Sequence, residues 1–182
     1  MRFAFPALAA LVLLPAAAAL TACSDSTGVE TFLKVDSVQV GAVNGVSSKA
    51  SGFDVLSGAI LTFPERPVFA AAYDLQVRQQ GSDFYFYLNP GSGGLRGTGL
   101  RKTTRTIDNP GSAPRTVADY ERVATKIAAG ETYYVQSRVV TAFCSTTSKY
   151  AIVNVAAVNA DSGFVTLKVI SNQQCDDDRL EK

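Results

Sequence analysis

From Phe32 onward the chain alternates apolar and polar positions with the period of two that half-buried strands require. Leu33, Val35, Val38 and Val40 begin the pattern, and a stretch rich in Ser, Gly and Asn from Gly41 to Gly52 interrupts it. Ile60, Thr62 and Phe63 make a short run closed by Pro64 and Pro67. Two longer runs follow, Val68 to Arg78 and Asp83 to Leu88, and Gln80-Gly81-Ser82 between them predicts a hairpin turn. In the last third, Thr132 to Phe143, Lys149 to Val158 and Gly163 to Ile170 read as three more strands. Turns are expected between them at Ser145-Thr146-Thr147-Ser148 and at Asn159-Ala160-Asp161-Ser162.

Asn89-Pro90-Gly91-Ser92 recurs as Asn109-Pro110-Gly111-Ser112. Proline fixes φ and glycine accepts positive φ, so both copies suit a type II turn, and the recurrence is reused turn chemistry. After the first copy come Gly93, Gly94, Gly97 and Gly99, with Gly81 just upstream. That much glycine predicts a loop able to take positive φ and to approach a partner closely. Thr116 to Gly130 carries two patterns. Thr116 with Asp119 resembles a capping box, Val117, Tyr120, Ala124 and Ile127 share a helical face, and Gly130 suits the C′ position, which predicts a short helix over 117–129. Val123, Thr125 and Ile127 also alternate as a strand would, and that reading stands beside the helix.

Together these elements predict a single all-β domain over residues 32–175, an antiparallel, sandwich-like fold, followed by a charged tail at 176–182. Phe84 to Leu88 carries aromatics on both faces. Such a strand is either central and buried on both sides, or it lines an apolar pocket for a planar ligand with Tyr85 and Tyr87.

The first residues follow a different logic. Arg2 precedes an apolar run from Phe3 to Ala19, and Leu20-Thr21-Ala22-Cys23 has the form of a bacterial lipobox. Residues 1–22 are expected to be a lipoprotein signal peptide, Cys23 the lipidated residue, and 23–31 a polar tether. Each buried acyl methylene contributes roughly 0.8 kcal/mol to membrane binding, so several chains would anchor the protein firmly without a spanning segment. Ser24 stands where an aspartate would favour inner-membrane retention. The expected location is the cell envelope, at the outer membrane or cell surface.

Charge and composition then exclude several classes. The chain has 17 Lys and Arg against 16 Asp and Glu. Loss of the leader removes only Arg2 from that balance, which leaves no clustered positive field for nucleic acid. Histidine is absent, which rules out Ser-His-Asp and Cys-His sites. Gly97-Thr98-Gly99 and Lys102-Thr103 are superficially like a phosphate loop, but Arg101 stands where the glycine before the lysine belongs. Asp176, Asp177 and Asp178 make a weak calcium candidate at a terminus expected to be solvated, and no metal site is predicted. With Cys23 used for lipid, Cys144 and Cys175 form an even pair in an oxidising compartment, where a disulfide between them is expected. The chain is expected not to be an enzyme.

Several segments in order resemble the HmuY-like family of bacterial surface lipoproteins. Tyr73-Asp74-Leu75 opens a strand, Phe84 to Leu88 forms the next, and Asn89-Pro90-Gly91-Ser92-Gly93-Gly94 follows as a Gly/Ser-rich loop. Later come a Tyr-rich strand at Thr132, a Lys149-Tyr150 strand, and a strand opened by Gly163-Phe164-Val165-Thr166. The resemblance implies an all-β, surface-anchored protein that captures heme or a related tetrapyrrole and docks on an envelope receptor. Members that carry heme hold its iron with His or Met. Here histidine is absent, and the single methionine is Met1. The candidates that remain are Tyr120, Tyr133 and Tyr134 as phenolate ligands, with Arg101, Lys102 and Arg105 as propionate partners. The runner-up is a protein of the same fold serving envelope structure or adhesion without heme.

Overall fold

The computed structural model describes residues 32–43, 51–62 and 73–181. The expected leader 1–22, Cys23 and the whole tether to residue 31, and the beginning of the run from Val68, lie outside the described residues. The strands are β1 (Phe32–Gly41), β2 (Ser51–Asp54), β3 (Ala59–Thr62), β4 (Leu75–Gln80), β5 (Asp83–Leu88), β6 (Gly99–Thr103), β7 (Thr125–Ile127), β8 (Thr132–Gln136), β9 (Tyr150–Asn159) and β10 (Phe164–Asn172). They form two sheets, ordered β1-β10-β9-β8-β6 and β3-β2-β4-β5-β7. Every ladder between them is antiparallel. The all-β, sandwich-like architecture is the one the alternation demands.

Period two places the core between the sheets. Phe53, Leu75, Val77, Phe84 and Phe86 from one sheet meet Leu100, Tyr133, Val135, Val153, Leu167 and Val169 from the other. The Phe86 and Tyr133 rings meet edge to face across the gap, with centroids 5.9 Å apart, the geometry their quadrupoles favour. The chain crosses between sheets on both sides. After β1, Val43 N–H donates to Val77 O at 2.9 Å and Val43 O accepts from Gln79 N–H at 3.1 Å. On the other side Glu121 pairs with Leu100 of β6 before the chain enters β7.

Between Gln80 and Asp83, which pair, Gly81 takes a φ of 63° and closes the predicted hairpin. On β5, Phe84 and Phe86 are buried while Tyr85 and Tyr87 are partly exposed. Arg78 stacks on the Tyr87 ring 4.1 Å from its centroid. The tyrosines thus form an outer surface with Arg78, and the strand is not buried on both sides.

The segment from 117 to 129 is corrected in part. Only Val117–Asp119 forms a helical turn, of 3-10 type, and the Thr116 side chain makes no cap hydrogen bond. Asp119 instead pairs with Arg101 at 3.1 Å. The strand reading holds beyond it, because Ile127 enters the core opposite Phe84. The run predicted from Thr132 to Phe143 also ends early: β8 stops at Gln136, and Thr141–Cys144 form a helical turn, α1. That turn presents Cys144 to Cys175 in the expected disulfide, with Cα atoms 5.4 Å apart.

The C-terminal residues are not a free charged tail. Leu180 is buried in a second apolar cluster on the outer face of the first sheet, with Tyr134, Tyr150, Ile152 and Ile170 beneath it. Ala113 N–H donates to Asp178 O at 2.8 Å and Leu180 N–H to Gly111 O at 3.1 Å. The segment from Ile107 to Tyr120 completes the cover. One buried leucine and two backbone hydrogen bonds outweigh the pull of the surrounding aspartates toward water.

Candidate functional site

The Gly-rich loop turns back on itself. Asn89 Nδ2 donates to Tyr73 O at 2.8 Å, its Oδ1 accepts Gly91 N–H at 2.9 Å, and its carbonyl accepts Thr98 N–H at 2.8 Å. Gly91 has a φ of 82°. A Cβ on Gly97 would lie 2.4 Å from Pro90 C and 2.5 Å from Asn89 O. The close approach that these glycines permit is therefore the loop against its own backbone.

The same loop leads through Thr98 into a buried ionic cluster. Asp74, fully buried, accepts at Oδ1 from the Thr98 hydroxyl (2.7 Å) and from Arg138 N–H (2.8 Å). Its Oδ2 accepts Val55 N–H at 2.8 Å. The Arg138 guanidinium bridges Asp74 and Asp54, at 3.1 and 2.8 Å. Nearby, Lys149 Nζ donates to Leu56 O at 2.8 Å and to Gln173 Oε1 at 3.1 Å. Burial lowers the Lys149 pKa, with Asp54 acting against it. The neighbouring hydroxyls are engaged elsewhere: Ser57 with Asp54, Ser148 with Ser137 O, Ser137 with Arg138 O. The cluster pins loops of the two sheets together. Only the strand-opening Asp74 was marked by sequence, since the partners lie far away along the chain.

The tyrosine candidates do not converge. Tyr133 and Tyr134 are neighbours on β8 and face opposite sides of the sheet, one in the sandwich core and one in the outer cluster. Tyr120 packs in the outer cluster with Tyr134. Their hydroxyls donate to Glu131 Oε2 at 2.5 Å (Tyr133), Pro110 O at 2.6 Å (Tyr134) and Pro114 O at 2.7 Å (Tyr120). Burial pushes all three phenols above the ordinary tyrosine range, with Tyr150 adding to the effect on Tyr120 and Glu131 to that on Tyr133. Phenolate ligation would first require those hydrogen bonds to break and a proton to leave. Among the described residues no group of three or more His, Cys, Asp or Glu is placed to hold a metal ion.

Of the cationic candidates Arg101 and Arg105 converge, while Lys102 borders the same groove with its ammonium turned to Glu131 on the Tyr133 side of β6. Arg101, Lys102 and Arg105 line one open groove of about 530 Å³ with Ser112, Pro114 and Tyr134. Arg101 is paired with Asp119, and Lys102 with Glu131. Among the described residues Arg105 forms no ion pair, and its guanidinium lies over the second Pro-Gly turn, 3.7 Å from where a Gly111 Cβ would stand. A second groove, of about 410 Å³, opens between β6 and β7 over Leu100 and Tyr133 and is rimmed by charges of both signs. No described helix is long and apolar enough to cross a membrane. No family model matches this chain, and no curated protein or solved structure was found similar to it.

Proposed function

We propose that the chain is a lipid-anchored, non-catalytic binding protein of the cell envelope, of the HmuY-like kind, that captures a carboxylate-bearing planar ligand in the groove outside β6. The observation that carries this reading is the meeting of Arg101 and Arg105, with Lys102 at the rim, at one groove with Pro114 and Tyr134 as its apolar part. Guanidinium and ammonium groups suit carboxylates as charge-assisted donors. A tetrapyrrole with propionates belongs to this ligand class. Its carboxylates fit the residues present, whereas its iron does not, because Tyr134 holds its hydroxyl on Pro110 O. The ring is thus bound through its edge and face, and the metal contributes little. Lipidation at Cys23 would keep the groove at the outer membrane or cell surface, within reach of an envelope receptor.

The test is a parallel titration of the full chain in detergent with hemin and with iron-free protoporphyrin. Both should bind saturably with similar affinity, and Arg105→Gln should weaken both. No saturable spectral change with either compound would overturn the reading. So would binding of hemin alone that Arg105→Gln leaves intact.

A further inference from the structure

The Gly-rich loop carries one more side chain with no role so far, Arg96. Its Nη2 donates to the Ser148 hydroxyl at 2.8 Å, and its Nε is buried without a partner. Arg122 reaches the same loop, donating from Nη1 to Gly97 O, next to Arg96 in the chain, and from Nη2 to Gln136 Oε1 at 2.8 Å. Gln136 in turn donates to the Tyr150 hydroxyl at 3.4 Å. The arrangement depends on Gly99, since a Cβ there would lie 2.6 Å from Tyr120 Cβ and 3.2 Å from Arg122 Nη2.

Two guanidinium groups therefore share the end of the first sheet where β6 begins, β8 ends and β9 starts. Neither forms an ion pair among the described residues. On this face Arg101 is paired with Asp119, Arg115 with Asp178 and Arg179 with Asp177, whereas Arg105, in its own groove, is not paired among the described residues. Glu121, adjacent to Arg122 in sequence, lines the other groove with Leu100 and Tyr133. Burial and the nearby Arg96 charge both hold the Arg122 pKa below the usual range. Like charges held together without a carboxylate are unfavourable in the chain alone, and an oxyanion would relieve that repulsion. Arginine forks match the paired oxygens of carboxylate or phosphate.

We propose that Arg96 and Arg122, backed by Gln136 and Ser148, form an oxyanion-binding site that takes a single carboxylate or phosphate group, separate from the groove of Arg105. Arg122 is exposed and Arg96 half-buried, so an anion reaches the site from the Arg122 side, next to the buried, unpartnered Nε of Arg96. The Gly-rich loop is then a cradle for Arg96 as well as a self-packed turn.

The experiment uses the full chain in detergent, labelled at arginine, and follows the Nε–Hε signals by NMR. Inorganic phosphate and acetate are titrated separately at constant ionic strength, with chloride as the reference. Saturable shifts of the Arg96 and Arg122 signals are expected with at least one anion. Arg96→Gln or Arg122→Gln should weaken binding about tenfold or more, the scale of one charge-assisted hydrogen bond. Arg122→Lys keeps the charge but loses the fork, and should fall between. Arg105→Gln should leave these shifts unchanged, which separates this site from the tetrapyrrole reading. A response to phosphate alone points to a phosphate ester such as a lipid or glycan headgroup. A response to acetate points to a free carboxylate. Shifts no larger than with chloride overturn the proposal, as does binding of undiminished affinity in the Arg122→Gln and Arg96→Gln variants.

Discussion

Arg138 Nη1 lies 3.1 Å from Asp74 Oδ2, and both side chains are almost wholly removed from solvent. The pair joins the chain just after β8 to the residue that opens β4, so one contact ties the two sheets at one end of the sandwich. Asp54, at the end of β2, shares the same guanidinium nitrogen at 2.8 Å. One cation thus serves two buried carboxylates.

Removing that cation leaves two unpaired charges in a dry site. Arg138→Met should cost about 3–5 kcal/mol of stability, read as a lower urea midpoint. A loss under about 1 kcal/mol would mean that water reaches the carboxylates and solvates them.

The pH dependence of stability has a definite sign. Burial raises the Asp74 pKa to about 6, and Arg138 pulls it back only in part. An unfolded aspartate titrates near 3.9, so between about pH 4 and pH 6 the folded state binds the proton more tightly. This group's contribution should therefore fall as pH rises through that window, by about 1–3 kcal/mol. Urea midpoints at pH 4.5 and pH 7.5, compared with the same pair for Asp74→Asn, isolate it. The fall with pH due to this group should be missing in the variant.

Glycine is needed unequally along the loop. Gly97→Ala drives a Cβ to 2.4 Å from backbone and should cost about 2 kcal/mol or more. At Gly93 a Cβ meets nothing within 4 Å, although φ is 60°. Gly93→Ala should cost about 1–2 kcal/mol, the left-handed penalty alone. Thermal melts of the two variants should rank in that order.

The disulfide closes 31 residues of chain. Its reduction, or Cys144→Ser with Cys175→Ser, should remove about 3–4 kcal/mol. Loss of amide-exchange protection should appear first at Ala113 and Leu180, whose hydrogen bonds hold the C-terminal segment that follows Cys175.

Tyrosine and arginine substitutions should divide cleanly. Tyr134→Phe gives up one hydrogen bond to Pro110 O and about 1 kcal/mol of stability, with tetrapyrrole affinity unchanged. Arg105→Gln should leave the melting temperature within about 2 °C, as expected of an exposed side chain, and lower that affinity. Paired melting and titration curves for both variants provide the check.

Strand identity was legible wherever a run was long and alternating, as at β4, β5, β9 and β10, because period two is a local property of the chain. The short β2 and β6 gave no such signal: Ser51 to Asp54 has a single large apolar residue, and β6 carries Arg101-Lys102. The helix pattern at 116–130 misled for a related reason. Asp119 found Arg101 across space, and Ile127 found Phe84, so distant partners outweighed local capping. The Cys144–Cys175 pair was legible from the cysteine count together with the expectation of an oxidising compartment.

Among the site residues, sequence could nominate Arg101, Lys102 and Arg105 because they sit within one short stretch. It could also nominate three tyrosines, but alternation alone puts Tyr133 and Tyr134 on opposite faces, and only the covering segments show that each hydroxyl is engaged. Arg96 with Arg122, and Asp54 with Asp74 and Arg138, are separated by tens of residues, so no spacing marks them. Alternation determined that this chain makes a β-sandwich, since each strand must hide one face from water. Which charges that sandwich pairs, and which it leaves without a counter-ion, was decided only when the sheets closed, because electrostatic energy depends on distance through space.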